Sequence, residues 1–246
     1  MRNELRTALI GVLALTFIVA SKVEASREKV RASTDIGLVH GIAGDDGFPV
    51  DILVQNNFRK LPLDDVTFGT AVNVNDIQPG FIRPGWVQVE VYASDSFENR
   101  GRDLPILSQL FWIGRGENKT VAAYVAADAL GTPIGPTLGV FRNQVAPLNG
   151  DAKTQVRHLA VAPEVSVCAN GAIDVTGGGF VNGETVTAVV PANVYQVTVT
   201  APGNCGAVLA GPLPLDLPAN VNTLAFAIGV FPESFTVVTL PVAIGK

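Results

Sequence analysis

Two stretches of the chain alternate apolar and polar residues with a period of two. Segment 86–93 reads Trp-Val-Gln-Val-Glu-Val-Tyr-Ala, and segment 194–201 reads Val-Tyr-Gln-Val-Thr-Val-Thr-Ala. Successive side chains of an extended strand point to opposite faces, so Val87, Val89 and Val91 share one face, as do Tyr195, Val197 and Val199. Other landmarks recur in the same order. Leu38-Val39-His40 matches Val156-Arg157-His158, and 49–53 matches 164–168. Thr120-Val121-Ala122 matches Thr223-Leu224-Ala225, and 138–141 matches 235–238. The pattern predicts about seven strands per copy. The first set lies near 36–41, 49–55, 66–73, 86–93, 105–113, 119–126 and 137–144. The second lies near 154–160, 164–169, 184–190, 194–200, 207–217, 222–229 and 234–243.

Short strands at this spacing predict an all-β chain of two tandem β-sandwich domains, immunoglobulin-like or transthyretin-like. The join falls in the turn-rich Pro147-Leu148-Asn149-Gly150-Asp151, which gives repeat 1 as 26–149 and repeat 2 as 150–246. Each copy holds a full set of strand landmarks, so the two are expected to fold separately. In an up-and-down reading, the fourth–fifth and sixth–seventh loops emerge at one end.

Residues 1–25 read as a signal peptide. Arg2 and Arg6 make a basic start, Ala8 to Ala20 is uncharged and mostly apolar, and Val23-Glu24-Ala25 offers a cleavage site. Such a run rises only about 20 Å as helix, short of a bilayer core of roughly 30 Å. The expected location is therefore secreted or extracytoplasmic, in the periplasm or at the cell surface. No transmembrane span is expected in the mature chain; the alternative is an uncleaved anchor.

The remaining composition narrows the partners. Only 16% of the 246 residues are charged, with 17 basic and 22 acidic side chains and 25 Gly and 16 Pro to supply turns. The chain stays acidic after loss of 1–25 and shows no basic run, which excludes nucleic acid as the expected partner. Cys168 and Cys205 are its two cysteines, and an isolated pair in an oxidising compartment is expected to be bonded.

The landmarks resemble the exported β-sandwich repeats of the domain of unknown function family forty-three ninety-seven. Copy one carries Val39-His40, Asp45, Asp46, Pro49, Val50 and Asp51. Copy two keeps His158, Pro163 and Val165 but has Ser166 where the aspartate belongs. The resemblance implies a fold and export, with no established activity and no catalytic residues to carry over.

The candidate chemistry is sparse. His40 and His158 occupy equivalent places, and with Asp51 they read as a structural network pinning the first strand to the turn that follows. Asp45-Asp46-Gly47 could offer oxygen ligands to calcium, but adjacent carboxylates diverge, and a turn is the stronger reading. Gly177-Gly178-Gly179 opens no helix and reads as a hairpin or bulge. Asn118-Lys119-Thr120 fits a glycosylation sequon. No cofactor, metal or catalytic residue is expected.

The two copies differ in loop length, and the extra residues all fall in copy one, within 73–85, 94–103 and 128–136. The last two segments would form one recognition surface carrying Phe97, Arg100 and Arg102. The expected function is a non-enzymatic cell-surface or extracellular module, structural or adhesive, with a protein or glycan partner. The alternative is a soluble glycan- or peptide-binding protein that stacks its ligand on Phe81, Trp86 and Phe97.

Overall fold

The computed structural model describes residues 34–43, 49–94 and 104–244. The segment 1–25 expected to be a signal peptide, and Asp45, Asp46, Phe97, Arg100 and Arg102, lie outside them. Repeat one comprises β1 (Asp35–His40), β2 (Val50–Asn56), β3 (Arg59–Val66), β4 (Ala71–Asn73), α1 (Val74–Ile77), β5 (Gly85–Ala93), β6 (Leu107–Ile113), β7 (Asn118–Ala127) and β8 (Pro133–Asn143). Repeat two comprises β9 (Ala152–His158), β10 (Ser166–Ala169), β11 (Ile173–Asp174), β12 (Thr185–Val190), β13 (Asn193–Ala201), β14 (Asn204–Leu217), β15 (Val221–Ile228) and β16 (Thr236–Ala243). Among the described residues no helix is long and apolar enough to cross a membrane.

Each repeat is a sandwich of two four-stranded sheets, and the strand order is the same in both. The inner sheets run β4-β1-β7-β8 and β12-β9-β15-β16; the outer sheets run β3-β2-β5-β6 and β11-β10-β13-β14. The first strand pairs in parallel with the seventh, Leu38 opposite Val121 and Val156 opposite Ala225. That pair rules out the up-and-down path expected from the sequence. Eight strands, with the first paired to the seventh and not to the second, differ from the seven-strand order of an immunoglobulin constant domain.

The additional strand in copy one is β3. Its Leu61 and Leu63 alternate properly, but Pro62 between them lacks an N–H and reads as a turn; at the sheet edge the missing donor costs little. Its counterpart β11 has only two residues. A second correction concerns the match of Thr120 to Thr223. His40 lies opposite Ala123 and His158 opposite Ala227, so Thr120 corresponds to Leu224, one residue further on. A slip of one residue reverses the face a side chain occupies, and these strands are buried on both faces, so alternation gives no warning.

Burial on both faces has a structural cause. One face of β1 and β7 enters the core of repeat one with Leu38, Val121 and Ala123. The other face, with Val39, Ala122 and Tyr124, packs on Leu224, Phe226, Ile228 and Leu240 of repeat two. The inner sheets thus share a third apolar core, and the molecule is a stack of four sheet layers. Gly41 permits the close approach, since a Cβ there would lie 2.8 Å from Ile228 Cγ2. Polar groups cross the seam as well. Asn222 Nδ2 donates to the Gln144 carbonyl at 2.9 Å, and Asn182 Nδ2 donates to the Val125 carbonyl at 3.1 Å.

Candidate functional site

The β5 alternation expected from the sequence sets the outer face of repeat one. Val87, Val89 and Val91 are buried in the core, which leaves Trp86, Gln88, Glu90 and Tyr92 on the opposite face. Register then fixes their neighbours: Trp86 opposite Trp112, Gln88 opposite Leu110 and Glu90 opposite Ser108 on β6, and Gln88 opposite Gln55 on β2. The two indoles meet edge to face, ring centroids 5.7 Å apart at 82°. Both remain about half exposed, at 57% and 52%. Cross-strand aromatic pairs stabilise a sheet, but half of this apolar surface is left in water.

Beside the indoles the face is polar and already ordered. Gln55 Nε2 donates to Glu90 Oε2 at 2.9 Å, Gln88 Nε2 donates to Glu90 Oε1 at 2.8 Å, and the Tyr92 hydroxyl donates to Glu90 Oε2 at 3.0 Å. Burial, helped by the Glu90 carboxylate, pushes the Tyr92 phenol above its ordinary pKa, so it keeps the proton it donates. The carboxylate is held by neutral donors at a half-buried position of the sheet. Its oxygens can accept from hydroxyl groups, and the amide oxygens of Gln55 and Gln88 add further acceptors.

A third aromatic stands at the same end. The β2–β3 hairpin turns through Asn57 and Phe58 with φ of 48° and 68°. The second position of such a turn is normally glycine, because a side chain there meets the backbone. Phe58 occupies it fully exposed. Asn57 Nδ2 donates to the Pro84 carbonyl at 3.2 Å, which ties this tip to the residue two before Trp86.

Copy two does not repeat the face. At the positions of Leu53, Trp86, Glu90, Tyr92 and Trp112 it has Cys168, Val194, Thr198, Thr200 and Asp216. Cys168 is bonded to Cys205, Cα to Cα 5.6 Å. Cys205 lies inside β14, not in a loop, and reaches β10 where the β13–β14 register shifts between Val197 and Ala201.

The histidines are interior. His40 is buried at the end of β1, with its carbonyl accepting from Gly69 at 2.9 Å. Asp51 on β2 accepts the Asp65 N–H at 3.0 Å. His158 Nε2 lies 3.2 Å from the Pro163 carbonyl, and its ring meets Phe180 edge-on at 5.4 Å. Burial lowers the His158 pKa. The structure does not bring His40 and His158 into one site; they belong to different sandwiches.

Other sequence candidates are placed differently from expectation. Phe81 is 1% exposed, under the Arg59 guanidinium, and offers no stacking surface. Segment 128–136 is not an open loop: residues from Pro133 belong to β8, and the Ala129 carbonyl accepts the Glu164 N–H of repeat two at 3.3 Å. Asn118 of the sequon is buried, and its Oδ1 accepts from Asn143. The Gly177–Gly179 turn is held by Asp174, which accepts the backbone N–H groups of Gly177 and Gly178 at 3.2 and 3.0 Å. Sequence reasoning missed Trp112, Gln55, Glu90 and Phe58. Trp86 and Trp112 both stand at polar-face positions of alternating runs, a signal that was available.

No family model matches the chain, and no curated protein matches it. Among solved structures it is similar to a chain from Bacteroides ovatus described as a "putative cell adhesion protein". The identity is 10%, over 88% of this chain and 99% of that one, with a TM-score of 0.26. A likeness at that score carries no argument about this chain.

Proposed function

We propose that this chain is an exported, non-enzymatic adhesion module that binds a neutral glycan on the outer sheet of repeat one. The observation that carries the reading is the half-exposed Trp86–Trp112 pair beside a carboxylate already fixed by three side-chain donors. A pyranose has an apolar face that matches an indole and hydroxyl edges that match Glu90, Gln55 and Gln88. A protein partner fits less well, since the buried centre of a protein interface is depleted in carboxylates. An anionic glycan would meet Glu90 and an acidic chain. The bonded cysteine pair supports an oxidising, extracytoplasmic location, and the resemblance to exported tandem repeats agrees with it.

The test is an array of neutral and anionic glycans probed with the chain and with W86A/W112A. Binding to neutral members, lost in the variant, supports the reading. Binding confined to proteins or peptides, or glycan binding that survives in the variant, overturns it.

A further inference from the structure

The core of repeat two is divided. One cluster gathers around Val156, Val167, Val199 and Ala225, another around Leu215 and Leu217. Between them lies a cavity of about 250 Å³, walled by aliphatic side chains from both sheets. Its mouth opens between the edge strands β14 and β16, where Leu213 is 40% exposed and Thr239 supplies a hydroxyl.

Repeat one shows why the space exists. Register places Leu38 at the position of Val156, Ile52 at Val167 and Phe111 at Leu215. It likewise places Val121 at Ala225 and Leu138 at Val237. At all five positions repeat two carries the smaller side chain. Missing methylenes leave a void when the surrounding sheets cannot collapse, and such a void costs stability in proportion to its volume. Here the change is spread over both walls of one slot and leads to an opening.

We propose that this cavity receives the aliphatic chain of a small neutral amphiphile. The lining carries no charged group, and its hydroxyl stands at the mouth. A closed apolar cavity of about 150 Å³ takes up benzene, so the larger apolar volume here has room for a longer apolar body, which would displace poorly bonded water from the slot. Facing sheets about 10 Å apart form a slot that suits an unbranched chain. Thr239 can hydrogen-bond a hydroxyl or ester head, and no cation lines the mouth to hold a carboxylate. The site is in the other repeat from the glycan face and does not depend on it.

The experiment follows thermal unfolding of the chain with 1-decanol, with decanoate, and with phosphatidylcholine vesicles. Decanol is expected to raise Tm in a saturable way, as a ligand of the folded state does; decanoate should bind at least about tenfold more weakly. The variant A225V/V237L, which restores the repeat-one residues, should melt higher unaided and lose the decanol response. Methyl NOEs from decanol to Val199 and Leu215 give a readout that needs no variant. Absence of a decanol response overturns the proposal, as do NOEs to other residues or an equal response in the filled variant. Co-sedimentation with vesicles in place of a decanol response overturns it too.

Discussion

Arg157 on β9 occupies the register position that Val39 occupies on β1, and both side chains enter the apolar seam between the repeats. The Arg157 guanidinium lies 5.0 Å from the Phe141 ring and 5.3 Å from the Phe226 ring. Its Nη2 donates to Asn143 Oδ1 and to the Arg142 carbonyl, while Nε and Nη1 have no hydrogen-bond partner. Burial pushes its pKa down to about 9, so it is still charged at neutral pH. A buried charge without a carboxylate partner carries a desolvation cost that an apolar side chain of similar length does not. Arg157→Met is therefore expected to match or exceed the parent in urea unfolding. A loss greater than about 1 kcal/mol would show that the cation–π contacts outweigh desolvation.

Asp35 makes stability depend on pH. It is 7% exposed, and burial raises its pKa to about 6 against the hydrogen bonds from the Asn75 and Ile36 N–H groups. The folded state therefore binds this proton more tightly than the unfolded chain. The contribution is fully present below about pH 4 and is lost as pH rises through 6, a difference on the order of 2–3 kcal/mol. Asp35→Asn keeps an acceptor without the charge. Its gain in stability should appear at pH 7 and vanish below pH 4; a gain equal at both pH values would refute the assignment.

Phe58 holds a left-handed conformation that a glycine adopts freely. Phe58→Gly is expected to stabilise repeat one by about 1 kcal/mol and to weaken glycan binding. Stabilisation without any change in binding would remove Phe58 from the face.

The Cys168–Cys205 bond spans 37 residues, and closing a loop of that size stabilises by about 4 kcal/mol in the chain-entropy model. C168A/C205A should lower the unfolding midpoint of repeat two by roughly 2–5 kcal/mol equivalent and leave binding on repeat one unchanged. Equal loss of binding would place the bond in the functional unit.

Much of this architecture was legible from alternation. β5 announced itself because its core-facing valines are buried and the residues between them are not, β13 through the same apolar–polar alternation in sequence although its Thr198 and Thr200 are buried too, and the repeat followed from their likeness. The seam did not, because β1 and β9 are buried on both faces and carry no period; Val39 and Arg157 gave no common signal. The face was half legible. Trp86 stood out, but Glu90 became significant only when the β2–β5 pairing brought Gln55, 35 residues away in sequence, within hydrogen-bond reach of it.

Trp86 and Trp112 are the chain's two tryptophans, so intrinsic indole emission reports directly from the proposed face. The most direct test of the account titrates the protein with a panel of neutral oligosaccharides: cellohexaose, chitohexaose, mannohexaose and xylohexaose. The account predicts that at least one shifts the emission to shorter wavelength with saturation. Trp86→Ala should weaken that ligand by roughly 30-fold, about 2 kcal/mol, as loss of a central aromatic anchor does. Emission unchanged across the panel, or a shift with the same affinity in Trp86→Ala, would contradict it.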